Sequence, residues 1–221
     1  MIVDTMSLQE VGEAILKTAI SNIPTIAKMI IRKERIYKRV IYSGLKERYD
    51  FQPLSFADNG IEFYICPYSK GKKDYKKYGL GFCLFAHVYY RGSNWYCLIT
   101  WDYSSVQMYC DHFFERYIER HLKDDSLVNV DIVRRYFKET DYLTHNEFVE
   151  HPKYKNCIYT STNIGVCCGE KVSKHILVYK TYIDLGTLTI GKKREAFDEG
   201  QKAFESVITN VWGIRETKDI A

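Results

Sequence analysis

In the stretch DHFFERYIER, residues 111–120, His112, Arg116 and Arg120 recur at every fourth position. On a helix that spacing lines them up on one face. Phe113, Phe114, Tyr117 and Leu122 fall on another face and form an apolar stripe suited to burial. An imidazole beside two guanidiniums suits work on a phosphodiester, because the ring moves a proton near neutral pH while the planar cations hold anionic oxygens. A plainer reading competes with this one. Arg116 and Arg120 could pair with Glu115, Glu119 or Asp124 on an ordinary solvated helix.

The rest of the chain has to position that helix. Asp111 is a natural N-cap for it, and a short strand over residues 106–109 leads into it. Upstream, the spacing predicts a helix over residues 7–22 with Ser7 and Glu10 as a capping box. Pro24 opens a second helix, with Asn22 or Ile23 at its cap. That helix carries Ile26, Met29, Ile30, Tyr37, Val40 and Ile41 on one side, and Lys28, Arg32, Lys33, Arg35, Lys38 and Arg39 over much of the rest. A basic amphipathic helix of this kind suits RNA, a membrane surface, an acidic partner or plain solvent.

From about residue 54 the pattern changes to aromatic and β-branched runs bounded by Gly, Asn and Pro. These predict strands over 61–69, 79–90, 94–103, 157–161, 163–170 and 175–183. Arg91-Gly92-Ser93-Asn94 reads as a hairpin turn, and KGKKDYKK (70–77) as a basic loop. A further helix is expected over 130–137, a polar loop over 141–156 containing His145 and His151, and a C-terminal helix over 192–211. The order predicts an α+β fold: an antiparallel sheet core with N-terminal helices, the central His/Arg helix and a C-terminal helix. Residues 1–50 are expected as a helical extension and 51–221 as the α+β domain, together one compact unit.

Composition narrows the function classes. The net charge of +4 permits a nucleic-acid partner without requiring one, and 19 tyrosines supply rings for a core or for stacking on bases. The seven cysteines form no CxxC pair and mostly lie in apolar runs, so reduced thiols in a cytoplasmic protein are expected rather than disulfides or zinc. The acidic, polar start is unlike a signal peptide, and no apolar run approaches the ~20 residues that span a bilayer. No HExxH, GxSxG, Walker loop or dinucleotide fingerprint is present.

The run HFFERYIER, followed by VDIVRRYF, resembles the His-x3-Arg-x3-Arg helix of small bacterial and phage proteins of the barnase–EndoU–colicin–RelE ribonuclease superfamily, many of them toxins. The resemblance covers roughly residues 95–190. It implies that a four-stranded antiparallel sheet carries further site residues, with YKTYI as the late strand whose polar residue approaches the scissile phosphate. Carried onto this sequence, it implies His112, Arg116, Arg120 and Thr181 as catalytic residues. Arg116 and His121 also match the Arg-x4-His signature of HEPN-type ribonucleases. Those are all-helical, and the spacing of five turns His121 toward the Phe113 and Tyr117 side.

The expected function is therefore a metal-independent endoribonuclease without cofactor, acting by attack of the 2′-hydroxyl, in the manner of a toxin or phage-defence effector. Lys72, Lys73, Lys76, Lys77 and Tyr117 are the expected RNA-binding residues. RNA is the expected partner, an antitoxin or other protein a further one, and a membrane is not expected. The alternative is a non-enzymatic RNA- or protein-binding module of a phage or mobile element.

Overall fold

Ten strands form one mixed, mostly antiparallel sheet in the computed structural model, which describes residues 2–140, 149–150 and 156–184. Along the chain come α1 (Leu8–Ser21), α2 (Ile23–Ser43), β1 (Tyr49–Asp50), β2 (Leu54–Asp58), β3 (Ile61–Ser69), α3 (Gly71–Tyr78), β4 (Gly81–Tyr90), β5 (Ser93–Ile99) and β6 (Val106–Cys110). Then follow α4 (Asp111–Tyr117), which runs on into a π-turn (Ile118–Leu122), α5 (Val130–Glu139), β7 (Val149–Glu150), β8 (Cys157–Ser161), β9 (Gly165–Ser173) and β10 (Ile176–Asp184). The fold is α+β. The strand order is β1-β3-β4-β5-β6-β10-β9-β8-β7, with β2 pairing on β3. Among the described strands only β6 and β10 pair in parallel. The C-terminal helix expected over 192–211, and most of the polar loop with His145 and His151, lie outside the described residues.

Strand alternation divides the core into two layers. On one side of the sheet Leu84, Ala86, Val88, Cys97, Ile99, Val106, Met108, Ile176 and Val178 meet Val11, Ile15 and Ala19 of α1 and Ile26 of α2. On the other, Phe85, Tyr96, Leu98, Tyr109, Leu177 and Tyr179 meet Phe113, Phe114 and Tyr117 of α4 and Ile132, Val133, Tyr136 and Phe137 of α5. Each fully buried aromatic side chain here contributes roughly 1.5–3 kcal/mol. Helix α1 starts at the capping box of Ser7 and Glu10, and α2 at Asn22 with Pro24 in its first turn, as the sequence indicates. The β4–β5 hairpin turns on Arg91 and Gly92, both at positive φ, which Gly92 adopts without a Cβ clash.

Two elements differ from expectation. Residues 71–78 are helix α3 rather than a loop. Tyr75 anchors that helix by packing with Ile41 and Tyr49, an apolar contact hidden within a run of lysines. Strand β10 also carries a bulge. Tyr179 pairs with Gly169 and Thr181 with Cys168, so Lys180 has no opposite number and the alternation shifts by one. Gly169 makes room for the bulge, since a Cβ there would stand 1.9 Å from the Val178 carbonyl oxygen.

Candidate functional site

Helix α4 leaves β6 through Cys110, which occupies the N-cap without a side-chain bond. Asp111, expected as the cap, is instead turned onto the neighbouring hairpin and accepts hydrogen bonds from Asn94 N at 2.8 Å and Asn94 Nδ2 at 2.9 Å. Its carboxylate ties the start of α4 to β5. Phe113, Phe114 and Tyr117 are fully buried, so the opposite side of α4 faces solvent.

That solvent face carries the predicted catalytic residues, and each is already engaged. The half-exposed His112 places Nδ1 3.2 Å from Glu115 Oε2. Arg116 donates to Glu119 through Nη1. The hydrogen bond and charge of Arg116 hold the Glu119 carboxyl below its ordinary value. Arg120 Nη1 donates to the Tyr182 carbonyl oxygen at 2.6 Å. Thr181 does not join them. The Lys180 bulge turns Tyr182 toward α4, where its ring meets Phe113 and Tyr117, so the adjacent Thr181 side chain points to the other side of the sheet. Tyr117 also departs from its expected role. Its ring is fully buried and its hydroxyl donates to Glu139 at 2.6 Å, which leaves no ring face for a base.

The side chains that do converge are others. In the π-turn, His121 stacks on Tyr117 with ring centroids 5.3 Å apart. Its Nδ1 lies 2.9 Å from Oδ1 of the buried Asp184, and its Nε2 lies 3.3 Å from Oε2 of Glu139. Arg135 Nε donates to the second Glu139 oxygen at 2.9 Å. Burial opposes the Glu139 charge, but the Tyr117 hydroxyl and the Arg135 guanidinium outweigh it and hold the carboxyl below its ordinary value. Burial pushes the Tyr117 phenol well up, reinforced by Glu139. The cluster joins the π-turn, α5 and β10, and π-turns occur often at functional positions. The sequence placed His121 on the Tyr117 side but carried no signal for Asp184, which lies 63 residues further on. No group of His, Cys, Asp and Glu among the described residues is arranged to hold a metal ion. The described cysteines are all free.

A second surface is defined by cations without partners. Lys28, Arg32, Arg35 and Arg39 follow one another at spacings of four, three and four, a single stripe along α2 about 16 Å long. All four are exposed, and none pairs with a carboxylate among the described residues. Residues 31–36 of the helix are exposed, and beyond them it is anchored through Tyr37, which stacks on Phe51 at 4.1 Å, and through Ile41, which packs with Tyr49. Ile31, Ile36, Val40 and Tyr42 are exposed beside the stripe. The end of α2 abuts α3 through Tyr42 against Tyr75 and through a 3.3 Å bond from Tyr75 to Glu34. Lys72, Lys73, Lys76 and Lys77 of α3 are all exposed as well. Lys77 lies 4.7 Å from the ring centre of the exposed Tyr78. Lys46, Lys70, Lys72 and Lys73 line a shallow cleft between the two elements.

No described helix is by itself long and apolar enough to cross a membrane, although α1 and α2, bent by 54°, pass that test as a pair. Comparison with known proteins finds no matching family, no matching curated protein sequence and no matching solved structure.

Proposed function

We propose that this protein binds single-stranded RNA through the cationic surface of α2 and α3, in a reducing, cytoplasmic compartment. One observation carries the reading: the exposed stripe Lys28, Arg32, Arg35 and Arg39, whose charges no described carboxylate neutralises. Unpaired cations in a row suit a phosphate backbone, because each contact displaces a condensed counterion. The exposed rings of Tyr42 and Tyr78 beside these cations favour a nucleic acid, whose bases stack on aromatic faces, over a lipid headgroup layer. The test is binding of a labelled single-stranded oligoribonucleotide across a salt series. Tight binding with a steep salt dependence supports the reading. Binding of anionic phospholipid vesicles without RNA binding overturns it in favour of a membrane surface, and binding of neither leaves the cations as plain solubilising charge.

Cleavage is a second reading, favoured by the His121 cluster. Among the described histidines only His121 has a ring nitrogen held by a buried carboxylate, Asp184. With Asp184 accepting the Nδ1 proton, Nε2 is the nitrogen that exchanges a proton with substrate, and a ribose 2′-hydroxyl would take the place of the Glu139 oxygen. Attack of that oxygen on the adjacent phosphorus would break the P–O5′ bond, the leaving 5′-oxygen taking up the proton carried by Nε2, and would yield a 2′,3′-cyclic phosphate without a metal. Arg120 and Arg135 are the nearest guanidiniums for the charge developing on phosphorus. A chain of this kind would act as a toxin or phage-defence effector and would need an inhibitory partner in its own cell. Cleavage of RNA in excess EDTA tests it, and intact RNA after prolonged incubation removes it.

A further inference from the structure

The end of the sheet where β3 stops, α3 intervenes and β4 begins also holds a small aromatic pocket. Tyr68, Phe82, Leu98, Thr100, Trp101 and Tyr103 line it, and it encloses about 180 Å³. Its outer wall is the loop between β5 and β6. The loop is pinned: Thr100 N donates to the Ser105 carbonyl at 3.1 Å, Ser105 N donates back to Thr100 Oγ1 at 3.0 Å, and Ser104 N donates to Asp102 at 3.1 Å. Within it Tyr103 holds φ at 56°, a left-handed conformation that a bulky residue rarely adopts. Strain of this kind persists where the surrounding structure enforces it, often at ligand sites. The loop holds the Trp101 indole 80 % exposed at the pocket mouth.

We infer that this pocket is a stacking subsite for one unpaired nucleobase of a bound RNA strand, an inference that rests on the RNA-binding reading above. The volume admits a single planar ring system and falls short of the ~300 Å³ where drug-sized ligand pockets begin. Trp101 offers an exposed π-face, and every base has a π-face to lay on it. The surroundings supply the backbone contacts. Tyr68 stands two residues before Lys70 and the lysines of α3. A strand following α3 thus reaches the pocket, whose lining residues Tyr68 and Phe82 flank that helix in the chain. A pinned loop binds without an ordering cost, which suits an exposed ring kept ready for a partner.

The experiment compares an oligouridylate with an abasic ribose-phosphate oligomer of the same length, against the full chain and its Trp101→Ala variant. The expected result is that wild type prefers the base-bearing oligomer by roughly 5- to 100-fold, the worth of one stacked base. Trp101→Ala should erase the preference and leave both abasic binding and its salt slope unchanged. Oligouridylate should also quench wild-type tryptophan fluorescence more than that of Trp101→Phe. Equal binding of both oligomers to wild type overturns the subsite and leaves phosphate binding standing. Equal loss of both oligomers in Trp101→Ala overturns it as well, since the indole would then act on the backbone or on folding. Failure of wild type to bind either oligomer overturns the RNA reading together with the subsite.

Discussion

Replacing Lys28, Arg32, Arg35 and Arg39 together by glutamine removes one row of charge and touches no buried contact, since all four side chains are exposed. For single-stranded nucleic acid the logarithm of the binding constant falls with the logarithm of salt by about 0.7 per neutralised phosphate. A stripe holding four phosphates therefore contributes a slope of about −3. Between about 50 and 200 mM salt that amounts to roughly a 50-fold change in affinity. The variant should show a salt plot flatter by about three units, with its largest deficit at low salt and wild-type and variant affinities converging as salt rises. Stability should not fall. Lys28 and Arg32, like Arg35 and Arg39, are like-charged neighbours at a spacing of four, an arrangement that costs a helix a few tenths of a kcal/mol per pair. The melting temperature should hold or rise by about a degree or two. Fluorescence anisotropy with a labelled oligouridylate over a salt series, beside a thermal melt, reads both quantities. A variant that folds as well as wild type and keeps the same affinity and slope would refute the assignment of α2 to the phosphate backbone.

If RNA is cleaved, His121→Ala and Asp184→Asn should each lower the single-turnover rate, the first by roughly 10²–10⁴-fold, while His112→Ala changes it little. A loss confined to His112→Ala would return the chemistry to the solvent face of α4. Gly169→Ala should fail to fold or lose about 3 kcal/mol or more by urea unfolding, because the added methyl meets the Val178 carbonyl oxygen at 1.9 Å. A variant unfolding at the wild-type midpoint would refute the bulge geometry. Glu139 supplies a pH dependence. Its folded-state carboxyl titrates below the ordinary value, so the stability it adds is complete above roughly pH 4.3 and drains away as pH falls through the lower folded value. The wild-type urea midpoint should thus drop between about pH 4 and the onset of acid unfolding by more than that of Glu139→Gln. Parallel curves for the two proteins would refute the argument.

What was legible in the sequence follows the range of the forces involved. Ser7 with Glu10 and Asn22 with Pro24 are signals confined to one helical turn, and both open helices. Strands β3, β4 and β5 announce themselves by alternation and by the Arg91-Gly92 turn. Helix α3 has no local signature, because its buried anchor, Tyr75, is surrounded by lysines and finds its partners Ile41 and Tyr49 elsewhere in the chain. The parallel pairing of β6 with β10 joins segments some 70 residues apart, and no local pattern encodes it. Thr181, implied by the resemblance, falls away from α4 for a related reason: the unpaired Lys180 reverses which of Thr181 and Tyr182 faces that helix, and nothing local marks the bulge.

The two basic helices separate on a criterion that the sequence does contain. In α4 a carboxylate stands three residues after two of the three functional candidates, Glu115 after His112 and Glu119 after Arg116, while Arg120 donates to the Tyr182 carbonyl. At that spacing the side chains meet, so the charge is spent locally and the spacing of the cations alone overstates their reach toward a ligand. In α2 the only acid is Glu34, which lies one residue from Arg35 and two from Arg32 and therefore faces away from the stripe, toward Tyr75. Its cations keep their charge for a partner. Acids interleaved at helical spacing mark a self-satisfied surface, and their absence from a row of cations marks one that remains free to bind. By that criterion α2 is where the proposed RNA would be met, and the His/Arg face of α4 would need its glutamates displaced before it met one.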